Sequence, residues 1–134
     1  MRIPTMLKKI NPTSIVEPFN NAYHHVVVVP PNARLAYISG QIGLRPDGSL
    51  PTTVEEQADQ AWSNVMEALK AVGMGSSDIV KVTAYLIEES EYGAFAAARQ
   101  KYIGEARPAS TALLVKQLVS AEWRVEIDIV AAAE

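Results

Sequence analysis

Residues 53–73 read TVEEQADQAWSNVMEALKAVG, and the fold follows from this stretch. Thr53 and Glu56 have the spacing of a capping box, in which the hydroxyl caps the helix start and the carboxylate reaches back. Val54, Ala58, Ala61, Trp62, Val65, Leu69 and Val72 recur at three- and four-residue steps. That period predicts an amphipathic helix with one buried stripe. Trp62 then belongs to the helix face against the core. Gly73 is placed to end the helix in a left-handed cap.

Working outward, both flanks read as strands. Upstream, Met6–Ile10 is a short first strand ended by Asn11-Pro12. The run His24-His25-Val26-Val27-Val28-Val29 is β-branched and stops at Pro30-Pro31-Asn32, which favours a pleated strand. Arg34–Ser39 is a second apolar run, and the Pro-Pro-Asn turn between the two predicts a hairpin. Pro46-Asp47-Gly48 is a turn in which Pro sets φ and Gly takes positive φ.

Downstream, Ile79–Ile87 alternates. Val80, Val82, Ala84 and Leu86 share one side, and Lys81, Thr83, Tyr85 and Ile87 the other. Ser90 is placed to cap a second helix over about Glu91–Tyr102, with Phe95, Ala98, Tyr102 and Tyr92 as its stripe and Gly104 and Pro108 beyond it. Thr111–Val115 and Arg124–Val130 close the chain as strands. In the last, Val125, Ile127 and Ile129 alternate with Glu126, Asp128 and Val130.

The predicted order is β-β-β-α-β-α-β-β. Two helices cover one face of a sheet, so the expectation is an α+β two-layer sandwich with a mixed six-stranded sheet. The other face carries Lys81, Thr83, Tyr85, Ile87, Glu126 and Asp128. The pattern leaves two readings open, a solvated face and a face that meets a partner subunit.

The 134 residues suit a single domain over 1–134 with one core. Hydrophobic residues make up 49 % and charged residues 20 %, which argues against disorder. The chain has no cysteine, so disulfides, thiolate nucleophiles and Cys-ligated metals are excluded. A net charge of −3 gives no footprint for nucleic acid. Lys8-Lys9 is the sole adjacent basic pair and reads as ordinary surface. No run reaches the length of a membrane span. Residues 1–5 lack the apolar run of a secretory leader, and the expectation is a cytoplasmic protein.

Several segments, in order, resemble one family. They are Ala22-Tyr23-His24-His25; Ile38-Ser39-Gly40-Gln41-Ile42-Gly43 with Pro46-Asp47-Gly48; Glu56-Gln57 through Asn64; Leu69 to Gly73; Asp78 to Thr83; Pro108-Ala109; and Val125-Glu126-Ile127. Together they resemble the RidA/YjgF group, also called L-PSP endoribonuclease, over roughly residues 22 to 131. The resemblance implies a chorismate-mutase-like fold and a homotrimer. It also implies a small-molecule ligand cleft between each pair of subunits and no cofactor. The doubtful sheet face would then line the trimer interior.

In active members of that group, an arginine after Pro-Ala grips the carboxylate of a 2-imino acid, and a carboxylic group positions water against the imine carbon. The step is a hydrolytic deamination. Here Ser110 stands at the arginine position, and Ala96 aligns with a second-helix asparagine. The resemblance leaves Glu126 as the catalytic acid, with Tyr23, Ser39, Gly40, Arg107 and Ser110 as substrate-binding candidates. Each has a plainer reading. Glu126 is otherwise an interface carboxylate, Tyr23 a packing aromatic, and Ser39 a strand-end hydroxyl bonded to its own backbone. Gly40 and Gly43 otherwise serve backbone geometry. Arg107, three residues before Ser110, is either exposed or a replacement cation. Arg99 and Arg124 are weaker replacements. His24 and His25 are adjacent on a strand, point to opposite faces and match no metal-ligand pattern. Trp123 reads as loop or interface packing.

Overall fold

A computed structural model of the chain describes residues 7–134. The expectations for residues 1–5 and for Met6 lie outside this range. The strands are β1 (Lys8–Ile10), β2 (Val26–Val28), β3 (Arg34–Gln41), β4 (Ile79–Leu86), β5 (Ala109–Leu114) and β6 (Val125–Ala133), and the helices are α1 (Val54–Ala71) and α2 (Tyr92–Ile103). The element order and the α+β class are as expected.

The sheet is divided. β3, β6, β4 and β5 form a four-stranded sheet in that order, and β1 and β2 form a separate antiparallel pair. The predicted hairpin between β2 and β3 is therefore absent. β2 pairs with β1, with Ile10 opposite Val26 and Lys8 opposite Val28. β3 pairs instead with β6 at the far end of the chain. Adjacency in sequence suggests a hairpin, but β6 gives β3 a longer and more apolar partner. β4 and β5 run parallel through the α2 crossover, and β4 and β6 run antiparallel.

Both helices cover one face. Ala58, Ala61, Trp62, Val65 and Leu69 of α1 are fully buried, as are Val82 and Ala84 of β4 and Val125 and Ile127 of β6. The small side chains of Ala58 and Ala61 let α1 approach the sheet closely. Trp62 and Phe95 pack with ring centroids 6.0 Å apart. Thr53 caps α1, its hydroxyl accepting from Glu56 N at 3.2 Å. Glu56 turns to that same hydroxyl and to Arg45 rather than completing the capping box. Gly73 takes φ +72, and the amide of Met74 donates to Leu69 O at 2.9 Å, so the left-handed cap forms as expected. Gly48 has φ +87, as its turn requires.

Four local expectations are corrected. Val72 is exposed, because α1 ends before it. The pairing of β4 with β6 slips between Ile79 and Lys81, so Ile79 rather than Val80 joins the buried side. Ser90 lies in a 3-10 turn, Glu89–Glu91, and α2 starts at Tyr92 without a side-chain cap. Ile103 joins Phe95 and Ala98 in the α2 core, while Tyr92 is exposed. Phe95, Ala98 and Tyr102 of the expected stripe do meet the core, and alanine on most sides of α2 blurs the rest of it.

Candidate functional site

The outer face of the sheet is built by alternation. Val125, Ile127 and Ile129 point to the helices, so Glu126 and Asp128 point away from them. Register sets Tyr85 beside Glu126 and Thr83 beside Asp128. The Tyr85 hydroxyl donates to Asp128 Oδ2 at 2.9 Å. That hydrogen bond, then burial and the negative charges of Asp128 and Glu126, raise the Tyr85 pKa above the usual phenol value. Lys81 Nζ donates to Thr111 Oγ1 at 2.7 Å on the same face.

Glu126 is seated on β3. The pairing of β3 with β6 slips between Ile38 and Gln41, and the slip falls at Ser39-Gly40. A Cβ on Gly40 would lie 1.9 Å from Glu126 Oε2. Glycine here leaves room for the carboxylate to keep this position, and no special φ is involved. Ser39 is exposed, and its carbonyl accepts from Gln41 Nε2 at 3.1 Å. Ser39 also lines an open groove of about 420 Å³ along the free edge of β3, together with Leu35, Tyr37 and Val72.

A buried amide holds the entry to β6. Gln57 is 2 % exposed. Its Nε2 donates to Pro51 O at 3.1 Å and Glu122 O at 3.2 Å, and its Oε1 accepts from Arg124 N at 2.9 Å. Gly43 lets this helix approach, since a Cβ there would sit 2.6 Å from Gln57 O. Arg124 adds a fork to Glu91, with Nη2 at 2.6 Å and Nε at 3.1 Å from its carboxylate oxygens. The start of the strand that carries Glu126 is thus tied to both helical segments. Sequence reading missed Gln57. Its position four residues before Ala61, beside the apolar stripe, was the available signal.

Tyr23, Arg107 and Ser110 lie elsewhere. Ser110 is in register with buried Val82, so it faces the helix side, opposite to Glu126. It is two strands and three residues from Glu126, or about 14 Å by strand spacing and rise. The amide of His24, next to Tyr23, donates to Pro108 O at 3.2 Å. Tyr23 therefore belongs to the Arg107 and Ser110 end. Its hydroxyl accepts from Phe19 N at 3.3 Å, and its ring meets His25 edge-on at 5.8 Å. His24 and His25 precede β2 instead of lying on it, and their rings still diverge, His24 Nδ1 to Arg107 O and His25 Nε2 to Val16 O, each at 2.7 Å.

The structure thus unites Ser39, Gly40 and Glu126 at one end of the sheet, and Tyr23, Arg107 and Ser110 at the other. Among the described residues no group of three or more His, Asp or Glu could hold a metal. No helix among them is long and apolar enough to cross a membrane.

Comparison with known proteins places the fold. The family model described as Endoribonuclease L-PSP matches residues 15–133. A 2-iminobutanoate/2-iminopropanoate deaminase of Rattus norvegicus is 33 % identical over 129 residues, covering 95 % of this chain and 91 % of the relative. A solved RidA from an Antarctic Psychrobacter superposes with a TM-score of 0.69 at 26 % identity, covering 92 % and 98 % of the two chains. A Rid-family protein of Yersinia pestis gives a TM-score of 0.83 at 24 % identity, with 93 % and 97 % covered, and shares the fold. From residue 15 to residue 133 this chain is a member of the RidA/YjgF family, the group described as Endoribonuclease L-PSP.

Proposed function

We propose that the protein is a homotrimeric, RidA-type small-molecule protein with a ligand cleft between neighbouring subunits, and that it hydrolyses an imine or enamine other than the usual 2-imino acid. The observation that carries this reading is the division of the candidate residues. Glu126 with Ser39 and Gly40 sits about 14 Å from Ser110 in one chain, on the opposite sheet face. In the proposed trimer each cleft takes one half from each of two neighbouring copies. The deaminase relatives support the reaction class.

In the proposed reaction Glu126 orients a water and takes its proton. The water oxygen bonds to the imine carbon, and the proton taken by Glu126 passes to the imine nitrogen. The carbinolamine hydroxyl then gives its proton to that nitrogen, the C–N bond breaks, and ammonia (or the amine, from an N-substituted imine) leaves a carbonyl. No cofactor is required, because the C=N bond is already electrophilic. Ser39 is the hydrogen-bonding partner of the ligand and Tyr23 the gate. Ser110 offers a hydroxyl where active relatives offer a guanidinium. It hydrogen-bonds a carboxylate without balancing its charge, a difference on the order of 1.5–3 kcal/mol. That substitution is the reason the substrate is placed outside the usual class.

The test is turnover of 2-aminoacrylate and of a panel of cyclic and N-substituted imines. Glu126→Ala is expected to abolish whichever turnover the wild type shows, and undiminished turnover would remove Glu126 from the chemistry. The second reading, a non-catalytic metabolite-binding trimer, is favoured by Ser110. It predicts a small carbonyl compound or acid that binds at Ser39 and is never turned over. Ribonuclease action is the weakest reading, given the net charge of −3.

A further inference from the structure

Three consecutive carbonyls before β5 are gripped by the N-terminal segment. Lys9 donates its ammonium to Ala106 O. His24 donates Nδ1 to Arg107 O at 2.7 Å. The His24 amide donates to Pro108 O at 3.2 Å. Between these anchors Arg107 adopts φ +44. A bulky residue ahead of proline normally avoids that region. Such strain persists only where the surroundings over-determine it, and it concentrates at binding and catalytic positions.

The same grip brings two cations together. The Lys9 pKa lies below the usual lysine value, through burial first and the charge of Arg107 second. Among the described residues the ion pairs join Arg45 to Glu56, Lys101 to Asp59, and Arg124 to Glu88 and Glu91. None of them includes Lys9 or Arg107. Two like charges held over a fixed backbone, with no carboxylate between them, gain from an added anion. A guanidinium fork beside an ammonium suits a planar carboxylate.

We infer that Lys9 and Arg107 form a carboxylate-binding pair, locked by His24, that supplies the anion contact Ser110 lacks. This deepens the cleft reading above and rests on it. The ligand is then a small carboxylic acid, held by the turn before β5 instead of by the strand itself.

The test is an amide NMR titration of the full chain with pyruvate, and in parallel with inorganic phosphate. Pyruvate is expected to shift Lys9, His24 and Arg107 saturably. Arg107→Asn, which suits a left-handed backbone, and Lys9→Met should each weaken that binding about tenfold or more. Lys8→Met removes an equal charge from the neighbouring position on β1 and should leave binding unchanged. The inference is overturned if pyruvate moves none of these amides, if Lys8→Met weakens binding as much as Lys9→Met, or if phosphate alone saturates the site. Turnover separates this from the cleft reading. Loss of turnover in Glu126→Ala with no pyruvate binding at Lys9 and Arg107 sinks the anion pair alone. Saturable pyruvate binding with Glu126→Ala fully active sinks the catalytic reading alone.

Discussion

The two faces of strands β4 and β6 are made from alternate residues of the same two strands, and they follow different rules. The face toward α1 and α2 is closed, with Val82, Ala84, Val125 and Ile127 fully buried. The face away from them carries Lys81, Thr83, Tyr85, Glu126 and Asp128, all only partly buried. On the first face packing sets identity, and any substitution of changed volume is felt. On the second, polar atoms find one another, as Tyr85 finds Asp128. The helical layer covers one face, and the alternation of apolar and polar residues along the strands matches it. One face therefore holds stability and the other is free to hold chemistry.

That contrast can be broken from the packed side first. Phe95 is fully buried and packs against Trp62 and Tyr92. Phe95→Ala should cost roughly 3–5 kcal/mol of unfolding free energy, read by chemical denaturation. A loss below about 1 kcal/mol would mean the helical layer does not set stability. Next comes Gln57→Ala. It leaves Arg124 N, Pro51 O and Glu122 O without the partners they now have. The expected cost is about 1–3 kcal/mol. Activity should fall further than stability explains, because β6 loses the anchor beside Glu126.

The smallest stability effect belongs to the outer face. Gly40→Ala places a methyl group where Glu126 Oε2 now lies. The carboxylate can swing away at a cost of about 1 kcal/mol or less, so the melting temperature should barely move. If Glu126 acts as proposed, turnover should collapse as it does in Glu126→Ala. Gly40→Ala with full turnover would detach Gly40 from the role of Glu126. A large fall in melting temperature would mean that Gly40 belongs to the packed side after all.

Much of this was legible in the residues. The apolar steps of 53–73, the cap at Thr53 and the alternation in 79–87 and 124–130 produced α1, β4 and β6, because period and capping are local properties. The ordered motifs led to the family, and with it to Glu126, Tyr23, Ser39, Gly40, Arg107 and Ser110 as candidates, without dividing them into the two groups that the fold makes. That Ser110 stands where the family resemblance implies an arginine was likewise readable before the fold.

Other features were decided only by the fold. The partner of β2 is β1 and that of β3 is β6, since strand pairing is a choice among distant segments that no local pattern encodes. The slips at Ile79–Lys81 and Ile38–Gln41 exchange which neighbours face the core, and a strict two-residue period cannot anticipate them. Gln57 lies outside the apolar stripe read from the sequence, and the 51 and 122–124 segments close over it. Lys9 looked like ordinary surface until the hairpin laid it against Ala106, beside Arg107. In each case local sequence determined the element, and contacts between parts of the chain far apart in sequence determined what the element touches.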